Sequence, residues 1–142
     1  MTIDYDQIEE PVRRLVRALN AFEGVTTIGS CGGHENPDEW QEPVGSWFVT
    51  FAIAHRGGGW QSLERINLVR SFMECVDIRV YTHGGGARIN GRNIFFAMRG
   101  DGCSADEAAY WLEQIYGGLT VTEVIADMDA YDVDVIEEFS RL

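Results

Sequence analysis

Residues Val25–His34 read Val-Thr-Thr-Ile-Gly-Ser-Cys-Gly-Gly-His, and residues Ile78–Ala87 read Ile-Arg-Val-Tyr-Thr-His-Gly-Gly-Gly-Ala. Each stretch is a short, apolar-leaning run that ends in a glycine-rich loop carrying a histidine. The triplet Leu-Val-Arg stands ten residues before each stretch, at positions 15–17 and 68–70. A shift of 53 residues superimposes the two halves, roughly residues 5–54 and 60–99, and this predicts an internal repeat.

Both halves show the same order of hydrophobic patterns. Apolar residues at helical spacing predict a helix over about 11–22, ended by Gly24, and a second over about 63–76. A short, mixed strand follows each helix, at 25–29 and 77–82, and then a nearly continuous apolar strand, at 46–54 and 93–99. A third helix opens on the capping box Ser104-x-x-Glu107, and the tail from position 120 also has a helical pattern.

Two tandem α-β-β units are a circular permutation of the ferredoxin-like fold. We therefore predict one α+β domain over residues 1–142, with a four-stranded, mainly antiparallel sheet, helices on one face and further helices at the C-terminus. The apolar strands 46–54 and 93–99 are expected in the centre and the mixed strands at the edges. We also expect the central strands to be parallel, so that both glycine-rich loops lie at one end of the sheet.

Composition limits the partners and the compartment. The net charge is −12, and residues 101–142 alone hold one arginine against eleven acidic residues. An acidic surface repels phosphate backbones, which argues against non-specific nucleic-acid binding. No run approaches the roughly 18 apolar residues of a membrane span, and the three cysteines are not a disulfide framework. We predict a cytoplasmic protein that has no membrane association.

The spacing Cys31-x-x-His34 is half of a metal-ligand motif, because thiolate and imidazole are both zinc ligands. His83, from the matching loop, is a candidate third ligand. Glu35 or Asp38 can supply a carboxylate. The sequence therefore predicts a site, with zinc as its candidate cofactor, at Cys31, His34 and His83.

Two other interpretations use the same loops. Consecutive glycines leave backbone N–H groups free to hold an anion, so a small-molecule or anion site is predicted at Ser30, Cys31, Gly32, Gly33, His34, His83, Gly84 and Gly85, with arginines 79, 88 or 92 for charge. Trp40 and Trp47 are candidates for an aromatic wall, although Trp47 fits better inside the sheet. Alternatively, Cys31 is a nucleophile with His34 or His83 as its base. The plainer alternative makes the glycines turn residues and Cys31 a buried small side chain.

The acidic segment 101–142 supports a different class of function. It suggests a protein-interaction module that binds a basic partner or mimics nucleic-acid charge, while simple solubility is the plainer interpretation.

The motif Ser30-Cys31-Gly32-Gly33-His34, preceded by Gly24-Val25-x-Thr27, resembles one in small uncharacterised bacterial and phage proteins, Thr-x-x-Ser-Cys-x-Gly-His followed by an aromatic-rich strand. It is more distantly similar to the wybutosine-synthesis methyltransferase family of tRNA modification, whose motif is Ser-Cys-Ser-Gly-Arg. Ser30, Cys31 and Gly33 match that pattern, and Gly32 and His34 depart from it. The resemblance implies a functional loop and, as a further alternative, a methyltransferase-like role related to tRNA modification.

Overall fold

A computed structural model describes residues 3–55, 57–80, 88–89 and 93–118. Within these residues the helices are α1 (Glu10–Asn20), α2 (Gly59–Ile66) and α3 (Ala105–Tyr116), and the strands are β1 (Val25–Cys31), β2 (Ser46–Ala54), β3 (Val76–Val80), β4 (Arg88–Ile89) and β5 (Asn93–Asp101). The strand order is β1-β2-β5-β3, with β4 paired to β5, and every pairing is antiparallel. The α+β prediction is confirmed, and the order is compatible with a permuted ferredoxin-like sheet.

Helices α1 and α3 form where the sequence predicts them, for local reasons. Pro11 is the second residue of α1, where its missing N–H removes no helical hydrogen bond. The Ser104 hydroxyl caps α3 by accepting a 3.0 Å hydrogen bond from the Glu107 N–H. Helix α2 begins at Gly59, about four residues before its predicted start, and ends at Ile66, because a 3₁₀ helix over Asn67–Ser71 continues its apolar stripe in place of α-helix.

The central strands β2 and β5 divide their side chains between two faces of the sheet. Alternate residues of β2 are buried in the core: Trp47, Val49, Phe51 and Ile53. The same core cluster contains residues of α1, α2 and α3. Phe96 and Met98 of β5 lie opposite Phe51 and Val49 and continue the same core. Helices therefore cover this face, as predicted.

One prediction about the sheet is wrong. Strands β2 and β5 are antiparallel neighbours, with Ser46 opposite Asp101 and Ala54 opposite Asn93. The direction of the chain alternates at each step across the sheet, so β1 and β3 end at opposite ends of it. The loop that follows β1 therefore does not face the chain that leaves β3 across one end of the sheet.

The cysteines are a second correction. Cys75 precedes β3, Cys103 follows β5, and the two form a disulfide across 28 residues of sequence. The register of β3 on β5, with Val76 opposite Gly100, brings the two cysteines together. The sequence analysis predicted no disulfide framework, because nothing in the spacing of the cysteines reveals this register. Cys31 is not part of a disulfide.

Candidate metal centre

The loop that predicted the site begins at the last residue of β1. Cys31 is opposite Phe48 of β2, and only 3% of its surface is exposed. Its Sγ accepts a hydrogen bond of 3.3 Å from the backbone N–H of Glu42, near the other end of the loop. The thiol is therefore held beneath the returning half of its own loop.

His34 is fixed through its backbone as well as its ring. Its N–H donates to the carbonyl oxygen of Glu42 over 2.8 Å, and the residue forms an isolated parallel bridge with Pro43. Residues 31 and 34 are thus both anchored to the 42–43 segment. This anchoring holds the thiol and the imidazole on the same part of the loop.

Gly33 is required for this arrangement because of its backbone. Its φ is +97°, and a Cβ atom at this position would lie 2.9 Å from the carbonyl oxygens of both Pro43 and Ser46. An L-residue rarely adopts this φ, and backbone atoms cannot swing aside as a side chain can. The loop can double back on itself only with glycine here.

The carboxylate beside these two residues comes from Glu9. Its Oε2 accepts a 2.6 Å hydrogen bond from the Gly32 N–H, and its Oε1 lies 2.9 Å from His34 Nε2. Glu9 is the N-cap residue of α1 but makes no side-chain hydrogen bond to that helix. Its carboxylate therefore joins the start of α1 to the loop that follows β1.

Together these residues form a cluster with three different donor groups. One carboxylate oxygen of Glu9, the Cys31 sulfur and one ring nitrogen of His34 all lie within 4.8 Å of one another. The side chains of His34 and Glu9 are 32% and 39% exposed, so the cluster opens to solvent on their side and is closed on the thiol side. A small ion can reach it without any rearrangement of the core.

The structure brings together some of the predicted site residues and not others. Cys31 and His34 meet, whereas Ser30 lies in β1 opposite Val49. The Asp38 carboxylate accepts from the Trp40 N–H within a local turn, and Glu35 is exposed. His83, Gly84 and Gly85 lie outside the described residues, as does the side chain of Arg88 and all of Arg92.

The glycine loop does hold an anion, and the anion is internal. The Gly32 N–H that was predicted to bind an external anion donates instead to the Glu9 carboxylate. A Cβ atom on Gly32 would lie 2.9 Å from Pro11 Cβ and 3.1 Å from Glu9 Oε2, so the loop packs tightly on the start of α1. This contact between the loop and the start of α1 places the Glu9 carboxylate beside Cys31 and His34.

The two tryptophans occupy very different environments. Trp47 is buried, as expected, and its indole N–H donates to the Cys103 carbonyl oxygen over 2.8 Å. Trp40 is 65% exposed and, with Phe48 and Val80, lines an open groove of about 400 Å³ on the sheet face opposite the core. Residues 39–42 of the loop after β1 line this groove as well. The aromatic wall over a ligand therefore stays a prediction, and it concerns a surface separate from the Glu9–Cys31–His34 cluster.

The acidic C-terminal segment is described only over residues 101–118. There Glu113 of α3 forms a two-pronged ion pair with Arg14 of α1, with N–O distances of 2.6 and 3.0 Å. The hydrogen bond from Arg14 lowers the pKa of Glu113, and the same bond raises the pKa of Arg14. Residues 119–142, which carry most of the predicted interaction surface, lie outside the described residues.

Neither protein-family models, nor curated protein sequences, nor solved structures contain a match to this chain. The resemblances of the Ser-Cys-x-Gly-His loop therefore remain predictions. Among the described helices, none is both long and apolar enough to cross a membrane.

Proposed function

We propose that this protein binds a divalent transition metal, zinc in the first instance, through Glu9, Cys31 and His34. The supporting observation is the convergence of a carboxylate oxygen, a thiol sulfur and an imidazole nitrogen within 4.8 Å. These donor types are the ones that zinc sites in proteins use. The third ligand of this proposal is Glu9; the sequence prediction named His83, which lies outside the described residues.

The spacing of the donor atoms suits such an ion. With bonds of about 2.0–2.3 Å at tetrahedral angles, neighbouring zinc ligands lie about 3.3–3.8 Å apart. The Glu9 oxygen and His34 Nε2 are already 2.9 Å apart, and the other separations are at most 4.8 Å. Small side-chain rotations of the half-exposed Glu9 and His34 bring the set to ligand distance.

Three protein ligands leave one coordination position for water or a small oxygen ligand. Catalytic zinc sites have this composition, whereas structural sites use four protein ligands. The solvent-exposed side of the cluster is the side of Glu9 and His34, so a small ligand would enter there. A zinc ion at such a position lowers the pKa of bound water to about 7, which is the chemistry that metal-dependent hydrolysis uses.

The Glu9–His34 contact also favours a second candidate function. A nucleophilic cysteine needs a base, and the base is commonly oriented by a third polar group. Cys31, His34 and Glu9 can take these three roles, since Glu9 already holds the imidazole at 2.9 Å. The burial of Cys31 counts against this function, because the sulfur must reach its substrate.

Elemental analysis tests the metal proposal. The protein is purified without chelator or affinity-tag metal, and zinc content and zinc affinity are measured for the wild type and for Cys31→Ser, His34→Ala and Glu9→Gln. Glu10→Gln is the matched control, because Glu10 is the adjacent, exposed acid in the first turn of α1. We expect near-stoichiometric zinc in the wild type and the control, and a loss of at least tenfold in affinity in the three cluster variants.

Two outcomes contradict the proposal. Failure of the wild-type protein to bind added zinc would refute the metal-binding proposal. Zinc bound equally by the wild type and Cys31→Ser would place the metal elsewhere. Rapid alkylation of Cys31 by iodoacetamide, slowed by His34→Ala, would support the nucleophile instead.

A further inference from the structure

The disulfide lies beside the loop that carries the metal cluster. Cys75 and Cys103 are partly exposed at the end of the sheet where Cys31 also lies, since Cys31 is opposite Phe48 and Phe48 is opposite Arg99. Cys75 lines a surface cavity of about 320 Å³ with Glu42, Arg99 and other polar residues. Cys75 therefore lies at the protein surface, on the side of Glu42 and Arg99.

Residues 101–103, which run from the end of β5 to the disulfide, contact the end of the loop that carries the Glu9–Cys31–His34 cluster. The Gly102 N–H donates to the Gly45 carbonyl oxygen over 2.9 Å, and the Ser46 hydroxyl donates to Asp101 Oδ1 over 2.8 Å. The Asp101 N–H donates in turn to the Cys75 carbonyl oxygen over 3.2 Å. Cys75 thus holds both ends of the 101–103 segment, through the backbone hydrogen bond at Asp101 and through the disulfide at Cys103.

Strand β5 makes a second contact with the loop, through Arg99. Arg99 forms an ion pair with Glu42, and the Glu42 side chain is mostly buried. Glu42 is the residue whose backbone N–H reaches the Cys31 sulfur and whose carbonyl oxygen accepts from the His34 N–H. A continuous set of contacts therefore leads from the Cys75–Cys103 bond to Cys31 and His34, two of the proposed metal ligands.

We propose that the Cys75–Cys103 disulfide is a redox switch that controls the metal affinity of the Glu9–Cys31–His34 cluster. This inference rests on the proposed function. In the oxidised protein the bond holds residues 101–103 against the loop, and the cluster keeps the geometry described above. Reduction releases the 101–103 segment, loosens Gly45, Ser46 and Glu42, and weakens the hold on Cys31 and His34.

The redox step balances with a thiol reductant of low molecular weight, such as glutathione. Two thiol molecules supply two electrons and two protons. The sulfur–sulfur bond of Cys75 and Cys103 breaks, each sulfur gains a proton, and a disulfide forms between the two reductant molecules. The sequence predicts a cytoplasmic protein, and disulfides in reducing compartments are commonly redox-sensing rather than permanent.

The test compares zinc affinity in the oxidised wild type and in Cys75→Ser/Cys103→Ser, which lacks the bond and adds no new thiol ligand. Ile66→Ala is the control, because Ile66 is a fully buried residue of α2 and its loss destabilises the domain without touching the loop. Coupling between two sites in a protein typically changes affinity about 5- to 150-fold. We expect at least a fivefold weaker affinity in the double-serine variant and an unchanged affinity in the control.

A second variant keeps the proposal testable if the double-serine protein does not fold. Arg99→Gln leaves the disulfide intact and removes the ion pair with Glu42, and we expect it also to weaken zinc binding. Zinc affinities equal to wild type in folded Cys75→Ser/Cys103→Ser, or in Arg99→Gln where only that variant folds, overturn the switch and leave the metal site standing. A wild type that binds no zinc removes the proposed function itself, so the two failures are distinguishable.

Discussion

The backbone of the loop provides the sharpest test of how the cluster is built. Gly33 and Gly45 have nearly the same positive φ, +97° and +95°. A Cβ atom on Gly33 would lie 2.9 Å from the Pro43 and Ser46 carbonyl oxygens, whereas one on Gly45 would meet nothing within 4 Å. Substitution to alanine therefore imposes the same conformational cost at both positions and a steric cost at only one.

The structure sets the size of each effect. An L-residue in a left-handed conformation costs roughly 1–2 kcal/mol, so Gly45→Ala should lower the free energy of unfolding by about that amount. Gly33→Ala adds the displacement of two backbone segments, and forcing extra atoms into a packed region costs typically about 1–3 kcal/mol. We expect Gly33→Ala to lose about 2–5 kcal/mol in total and to remain folded.

Urea denaturation at equilibrium measures both variants against the wild type. Zinc affinity is measured in the same preparations, because the displaced Pro43 oxygen belongs to the 42–43 segment that anchors His34. We expect Gly33→Ala to weaken zinc binding and Gly45→Ala to leave it unchanged. Equal losses of stability in the two variants would refute the steric reasoning and would reduce Gly33 to an ordinary turn residue.

Three further predictions concern the scaffold. Closing a loop of this length with a disulfide stabilises by about 3–4 kcal/mol in the chain-entropy model, so Cys75→Ser/Cys103→Ser should lower the free energy of unfolding by that amount in urea; an unchanged midpoint would mean that the bond does not form in solution. Ser104→Ala removes the cap of α3 and should cost about 1 kcal/mol by the same measurement, whereas Ser104→Asp should retain most of it. Glu113→Gln should cost about 0.5 kcal/mol at neutral pH, because the pair with Arg14 is exposed. The lowered pKa of Glu113 means that this contribution is present above its ordinary value of 4.5 and disappears as the pH falls through the folded value, so wild type and variant should converge in acid; a difference that persists there contradicts the ion pair.

The hydrophobic pattern was sufficient to predict the helices and the central strands because it records burial directly. Strands 46–54 and 93–99 are nearly all apolar, and both lie in the middle of the sheet. The composition of two strands does not determine whether they run parallel or antiparallel to each other. The crossover through α2 makes β3 parallel to β2, and β5 lies between them, antiparallel to both. In such an alternating sheet β1 and β3 end at opposite ends, which the prediction of parallel central strands did not allow for.

The disulfide was hidden for a related reason. Cys75 and Cys103 stand just outside the two paired strands β3 and β5, so their meeting depends on the register Val76 opposite Gly100. A shift of register by two residues would separate them by roughly another 7 Å along the strand. The spacing of residues in the sequence does not determine the register of two paired strands, because registers that differ by two residues bury the same faces.

Glu9 was missed because ligand motifs are sought at short spacing, and its partners Gly32 and His34 are 23 and 25 residues away. The predicted elements nevertheless contained the information. Helix α1 rises about 1.5 Å per residue, so Glu9 lies about 17 Å back along the axis from Asn20. Strand β1 returns antiparallel to the helix at about 3.3 Å per residue, which places Cys31 about 20 Å from Val25. The connection between α1 and β1 is short and the two lengths are similar, so the start of α1 and the end of β1 lie at the same end of the domain. A carboxylate just before α1 is therefore a natural neighbour for any ligand at the end of β1 or just after it.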